Sequence, residues 1–90
     1  MDFKYESDRI YIENECGECI AEVTFPKVSE DKVCVNHTFV DRCLRGQGIA
    51  DKLLIALVKD LKDNNKKAIA TCSYAVDWFE KHPEYADVYK

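Results

Sequence analysis

The first half of the chain alternates apolar and polar residues with the period of a β-strand. The stretch 9–13 reads Arg-Ile-Tyr-Ile-Glu, and the stretch 19–25, Cys-Ile-Ala-Glu-Val-Thr-Phe, is rich in strand-forming residues. Gly17 lies in the polar segment between them, where a tight turn is required. Pro26 ends the second run, because proline cannot donate to a sheet. The pattern predicts a β-hairpin.

A third alternating run, 33–40, follows a polar turn at 29–32. It predicts one continuous strand, since alternate side chains of a strand point to opposite faces. One face would carry Val33, Val35, His37 and Phe39, and the other Cys34, Asn36, Thr38 and Val40.

The second half of the chain changes to the period of a helix. After the polar loop 41–48, apolar residues recur every three or four positions from Ile49 to Leu61, with charged residues between them. This pattern predicts a long helix that ends near Asn64. The apolar run 68–72 then predicts a central strand, and 75–79 a short helix that stops near His82, the residue before a proline.

The order of these elements predicts a mixed α/β fold. A central, mostly antiparallel sheet of about four strands would carry the helices packed on it. The 90 residues, 47% of them hydrophobic, are enough for one compact domain, 1–90, and leave no room for a second. We expect a monomer or a weak homodimer.

Charge and composition exclude several classes of partner. Thirteen basic and 17 acidic residues give a net charge of −4 with the signs mixed, which argues against nucleic-acid binding. The amino terminus lacks the apolar run of a signal peptide, and no stretch approaches the ~20 apolar residues that span a bilayer. The sequence therefore predicts a cytoplasmic protein without a membrane partner, and its five cysteines, an odd number, are expected to be reduced.

The loop before the long helix has the chemistry of a phosphate site. It reads Arg45-Gly46-Gln47-Gly48-Ile49-Ala50. Backbone N–H groups at a helix start lack helical partners, glycines allow a ligand to approach the main chain, and an arginine can pair with phosphate oxygens. The loop is neither a Walker motif nor a dinucleotide-binding motif. These residues alone are also compatible with a plain connecting loop.

Several separated segments resemble one known superfamily. Arg45-x-x-Gly48-x-Ala50 resembles the acetyl-CoA-binding motif of the GNAT superfamily. With His37-Thr38-Phe39-Val40, Cys72-Ser73-Tyr74-Ala75 and His82-Pro83-Glu84-Tyr85, nearly the whole chain is similar to the minimal GNAT proteins of the YjdJ type. The resemblance implies a small GNAT-like fold, acetyl-CoA as the acyl donor and N-acetyltransferase activity on an unidentified amine. Residues 41–43 depart from the family's loop, and the amino-terminal helical region of full-size enzymes, which carries much of the acceptor surface, is missing.

The resemblance also implies which residues hold acetyl-CoA. The predicted cofactor-binding residues are Phe39, Val40, Arg45, Gly46, Gln47, Gly48, Ile49, Ala50, Ser73 and Tyr74.

Two residues are candidates for catalysis. Cys72 could act as a thiolate favoured by the helix that follows it, and the resemblance implies that the matching cysteine lies at the acyl-CoA thioester. Its alternative role is that of a small buried apolar residue. His37 precedes the glycine loop and could serve as a general base, as histidine often does, or be structural.

Other functions remain open at this point. Cys16 and Cys19 have the spacing of a metal half-site or a redox pair, but a four-ligand zinc site needs two more ligands, so no metal is predicted. Trp78 and Phe79 have the helical spacing of core residues rather than of a platform for adenine. Loss of the acceptor region also allows a non-catalytic coenzyme A sensor or interaction module.

Overall fold

The computed structural model describes residues 3–89. Met1 and Asp2 lie outside the described residues. They begin the amino-terminal stretch that was predicted not to be a signal peptide. The strands are β1 Lys4–Glu6, β2 Arg9–Glu13, β3 Cys19–Thr24, β4 Lys27–Ser29, β5 Lys32–Val35, β6 His37–Val40 and β7 Lys67–Ala70, and the helices are α1 Ile49–Asp63 and α2 Ser73–Lys81. Two 3₁₀ turns, Arg42–Leu44 and Pro83–Tyr85, follow β6 and α2.

The strands form two sheets. The first has the order β1-β2-β3-β6 and is antiparallel throughout. The second has the order β4-β5-β7, with β5 antiparallel to β4 and parallel to β7. The predicted fold class is confirmed, and so is the β2–β3 hairpin, whose turn holds Gly17 at a φ of 81°.

The predicted continuous strand 33–40 is wrong, because the chain bulges at Asn36. His37 is aligned with Thr24 across the sheet, and the Asn36 N–H also donates to the Thr24 carbonyl (3.2 Å). Asn36 and His37 therefore both lie opposite Thr24, as in a β-bulge. The extra residue reverses which side chains after it point to each face of the sheet. Val35 is buried, whereas His37 and Phe39 are exposed. β5 pairs with β7, while β6 continues beside β3.

The helices enclose the core as the sequence predicts. α1 packs on β2, β3 and β6, and its buried residues include Leu53, Leu57 and Leu61. It ends at Asn64, as expected. Trp78 and Phe79 of α2 are each 4% exposed, which confirms their predicted place in the core.

The boundaries on either side of the β7–α2 connection differ from the prediction, and two short strands are additional. The strand expected over 68–72 ends at Ala70, and α2 begins at Ser73, two residues before the predicted Ala75. β1 and β4 were not predicted, because each has three exposed residues and no buried face. Within residues 3–89, no helix has both the length and the apolar character needed to cross a membrane.

Candidate functional site

One edge of β6 is open beside the start of α2. Asp41, the residue after β6, donates its N–H to the carbonyl of Ile20 in β3 (2.7 Å). Thr38 and Val40 alternate with the residues that pair with β3, so they turn their backbone groups to the opposite edge. No described strand pairs with that edge. The β5–β7 ladder ends at Val35 and Ala70, and the Val35 carbonyl accepts the N–H groups of Thr71 (3.1 Å) and Cys72 (3.3 Å). The strand pairing therefore ends where β6 leaves the residues that lead into α2, and we call this place the opening.

The Cys72 side chain lies at this opening. Cys72 is the N-cap residue of α2, is partly buried, and has its Sγ 3.4 Å from Thr38 Oγ1. Burial acts to raise the pKa of Cys72. Hydrogen bonds from the Thr38 hydroxyl and from the backbone N–H groups of Ala75, Tyr74 and Thr38 outweigh burial, and the pKa falls below the ordinary cysteine value. The site thus favours a thiolate.

The glycine loop is shaped by its own hydrogen bonds. Asp41 caps the first 3₁₀ turn by accepting the Cys43 N–H at 3.0 Å. Hydrogen bonding to Cys43, assisted by the nearby arginine charges, lowers the pKa of Asp41 and keeps it a carboxylate. Gln47 Nε2 donates to the Cys43 carbonyl (3.3 Å), and Arg45 Nε donates to the Val40 carbonyl (3.4 Å) on the open edge of β6.

The start of α1 fits a phosphate group. Gly46 and Gly48 have φ angles of 84° and 72°, in the left-handed region that favours glycine. Gly48 is the N-cap of α1, and it has no side chain to accept the N–H groups of the first turn. These donors lie beside exposed Arg45, so the loop offers hydrogen bonds and positive charge to an anion.

The structure brings only some of the predicted residues to this opening. Val40, Arg45 and Cys72 border it, and Ser73 and Tyr74 are exposed in the first turn of α2. Ile49 is buried beneath the loop and Ala50 is half-buried. His37 and Phe39 are exposed on the face of β6 opposite Thr38, because neighbouring strand residues alternate. His37 therefore does not meet Cys72 across this face.

Two residues beside the site were not among the predicted ones. The sequence pattern assigned Thr38 only to a strand face. The His-Thr string of the family resemblance includes Thr38, and it was the available signal that this residue belongs to the site. Asp51 was assigned to the charged face of α1, and its place in the first turn of the helix was the only hint. In the structure, Asp51 Oδ1 accepts the Trp78 indole N–H at 2.7 Å.

The cysteine pair of the hairpin lies apart from this site. Cys16 is exposed, and the Cys19 thiol donates to the Ala21 carbonyl (3.5 Å). All five cysteines are free thiols. Across residues 3–89, no group of three or more potential metal ligands is present.

Comparisons with known proteins point to acetyltransferases. A sequence profile described as GCN5-related N-acetyl-transferase matches residues 9–88. The solution structure of a GCN5-like protein from Staphylococcus aureus is 37% identical, with 99% of this chain and 87% of that chain covered and a TM-score of 0.83. No curated protein matches the chain.

Two longer enzymes share the fold at low identity. The ribosomal-protein-S18-alanine N-acetyltransferase of Escherichia coli is 18% identical, with 87% of this chain and 53% of that chain covered and a TM-score of 0.66. An aminoglycoside acetyltransferase from an uncultured soil sample, in complex with sisomicin, is 17% identical, with 84% and 57% covered and a TM-score of 0.58. The chain thus spans little more than half the length of these two enzymes.

Proposed function

The chain belongs to the GCN5-related N-acetyltransferase family, and from this premise we propose that it binds acetyl-CoA and transfers the acetyl group to an amine. One observation carries the proposal. The Cys72 thiol, with its lowered pKa, lies where the unpaired edge of β6 meets the start of α2. The acceptor is left as a primary amine of unknown identity.

The proposed binding mode uses the backbone more than side chains. The N–H groups of Gly46 to Ala50 would bind the pyrophosphate, and Arg45 would add a charge-assisted hydrogen bond. The Thr38 carbonyl and the Val40 N–H on the open edge of β6 would pair with amide groups of the pantetheine arm, as a further strand pairs with a sheet. Ser73 and Tyr74 would border the arm at the start of α2. Acetyl-CoA supplies the activated acyl group as a thioester.

Two chemical routes are compatible with Cys72 at the acyl group. In the covalent route, the Cys72 thiolate attacks the thioester carbonyl, the C–S bond to coenzyme A breaks, and S-acetyl-Cys72 forms as coenzyme A leaves as a thiolate. The amine then attacks this new thioester, Cys72 leaves as a thiolate, and the amine proton passes to a base or to water. In the direct route the amine attacks acetyl-CoA itself, and Cys72 only borders the pocket.

Calorimetric titration with acetyl-CoA tests the binding site. We expect wild-type protein to bind, and both Arg45→Ala and Gly48→Asp to bind at least about tenfold more weakly, since each removes anion-binding character. Arg9→Ala is the matched control for the loss of an arginine charge, because Arg9 lies on β2 and pairs with Glu22 (3.4 Å). Absence of binding by well-folded wild-type protein would refute the proposal.

An assay of coenzyme A release with a panel of amines tests the chemistry. We expect Cys72→Ala to lower turnover, while Cys16→Ala, which removes an exposed thiol on the hairpin, leaves it unchanged. Acetylated Cys72 in the intact-protein mass spectrum, formed without an amine, would select the covalent route.

The same assay decides the role of His37. As the proposed general base, His37 would act on an acceptor that approaches from its own face of β6, so His37→Ala should lower turnover without weakening acetyl-CoA binding. Unchanged turnover at neutral pH would remove His37 from the mechanism.

A coenzyme A sensor or interaction module is the second candidate function. The 90 residues align with little more than half the length of the two larger acetyltransferases, so an acceptor surface in the remainder of those enzymes has no counterpart among these residues. Binding without turnover across amine and peptide panels would select it. In either case we propose that residues 1–90 form one domain, monomeric or weakly dimeric, in the cytoplasm, where its five thiols stay reduced.

A further inference from the structure

Helix α2 is joined to the first turn of α1 by one carboxylate. Asp51 is the third residue of α1, and its Oδ1 accepts the indole N–H of Trp78 at 2.7 Å. The same oxygen lies 3.7 Å from His82 Nε2. Asp51 thus contacts the middle and the end of α2 from the helix that begins at the glycine loop.

The direction of the indole N–H is fixed by its neighbours. The His82 ring stacks on Trp78 with 4.1 Å between centroids, and the Tyr85 ring lies nearly parallel to the indole at 5.5 Å. His82 Nδ1 lies 2.7 Å from the Trp78 carbonyl, which can only accept, so Nδ1 carries the proton. A buried indole in a fixed orientation needs its acceptor, and Asp51 supplies it.

We infer that Asp51 is a positioning residue, whose carboxylate holds α2, and with it the Cys72 thiol, against the start of α1. Cys72 begins the helix that Trp78 anchors. At the start of α2, the lowered pKa of the Cys72 thiol depends on Thr38 of β6 and on the N–H groups of the first turn of α2. A displacement of α2 moves Cys72 together with these N–H groups and changes the distance of its thiol from Thr38 of β6. The link to acetyl transfer rests on the proposed function, whereas the effect on the thiol does not.

Two substitutions at Asp51 separate anchoring from charge. Asp51→Asn removes the charge but keeps an oxygen that accepts the indole N–H, whereas Asp51→Ala removes both. Asp63→Ala is the matched control, because Asp63 is exposed at the far end of the same helix. Circular dichroism and denaturant unfolding first establish that each variant is folded.

The first measurement is the pH profile of Cys72 alkylation by iodoacetamide, resolved by mass spectrometry of the Cys72 peptide. We expect Asp51→Ala to be alkylated at least about threefold more slowly than wild type on the rising part of the profile, because less thiolate is present. Asp51→Asn and Asp63→Ala should follow the wild-type profile. A wild-type profile in folded Asp51→Ala would overturn the inference, and so would equal slowing in Asp51→Asn and Asp51→Ala.

The second measurement concerns turnover. If the proposed function holds, Asp51→Ala should lower kcat about threefold or more and leave KM for acetyl-CoA nearly unchanged, with rescue by Asp51→Asn. A loss confined to KM would overturn the inference, since it would place Asp51 in acetyl-CoA binding instead. Should the wild-type protein show no turnover, the proposed function fails, but the alkylation profiles still decide whether Asp51 positions Cys72.

Discussion

At the scale of single residues, the Cys72 thiol is controlled by a neighbour from a distant strand. Thr38 contributes both its hydroxyl, 3.4 Å from Sγ, and its backbone N–H. A hydrogen bond to the charged form lowers a pKa, and burial opposes it. Because the hydrogen bonds prevail at Cys72, the pKa of its thiol lies below the ordinary cysteine value.

We predict that Thr38→Val raises the pKa of Cys72. Valine keeps the shape of threonine but cannot donate to the sulfur, so burial then acts with less opposition. Alkylation of Cys72 should shift to higher pH in the variant, with about a threefold or greater loss of rate on the rising part of the profile. Thr24→Val is the control, since Thr24 lies on β3 and donates its hydroxyl to Asn36 Oδ1 (2.6 Å) rather than to a thiol. Identical profiles for Thr38→Val and wild type would show that the hydroxyl does not stabilise the thiolate.

The sign of the linked stability follows from the same shift. The folded protein holds the Cys72 thiolate better than the unfolded chain does, since the folded pKa is the lower one. This group therefore adds stability above the unfolded pKa of cysteine, and the contribution is lost as the pH falls through the folded pKa. Thr38→Val should lose part of this alkaline contribution in denaturant titrations at several pH values.

At the scale of elements, the junction between the glycine loop and α1 depends on a left-handed residue. Gly48 has a φ of 72°, and a Cβ added there would meet nothing within 4 Å. Any cost of a side chain at this position therefore comes from the backbone conformation and not from a clash.

We predict that Gly48→Ala lowers the free energy of unfolding by about 1 kcal/mol. The left-handed conformation costs an L-residue roughly 1–2 kcal/mol, and the restricted unfolded chain offsets about 0.4–1 kcal/mol of that. Urea denaturation measures the difference. A synthetic chain with D-alanine at position 48 is the control, because D-residues prefer positive φ, and it should be at least as stable as wild type. A Gly48→Ala protein more stable than wild type would contradict a left-handed conformation at residue 48.

Some elements could be predicted from the sequence pattern, and others could not. α1 was predictable because its apolar residues repeat over fifteen residues, and the hairpin because two alternating runs flank Gly17. The bulge at Asn36 was not, since nothing in an alternating run marks the residue that will be left without a partner. That one residue decides which face His37 and Thr38 occupy. The sequence placed His37 among the candidates for its acid–base chemistry, and no pattern indicated that Thr38 lies beside Cys72. The contact of Asp51 with Trp78 joins residues 27 positions apart, a separation that no local pattern reports.

At the scale of the whole molecule, the candidate site lies where the two sheets separate. Both sheets share one hydrophobic core, and α2 contacts β6 of the first sheet and β7 of the second. α1 reaches the same place through the glycine loop and through Asp51. A ligand in the opening would therefore contact elements of both sheets and both helices, and binding should stabilise the fold as a unit.

We predict a large thermal stabilisation by acetyl-CoA. A ligand at 100 times its dissociation constant adds about 2.7 kcal/mol to a protein with one site, and each kcal/mol raises Tm by roughly 4–8 °C in a domain of this size. Calorimetric melting should therefore shift upward by about 10–20 °C for wild type and for Arg9→Ala, and by about half as much or less for Gly48→Asp, which binds at least about tenfold more weakly. A shift of equal size in Gly48→Asp would place the ligand away from the glycine loop. Binding by titration with no shift in Tm would mean that acetyl-CoA binds the unfolded chain as well, and the opening between the sheets could not then be its specific site.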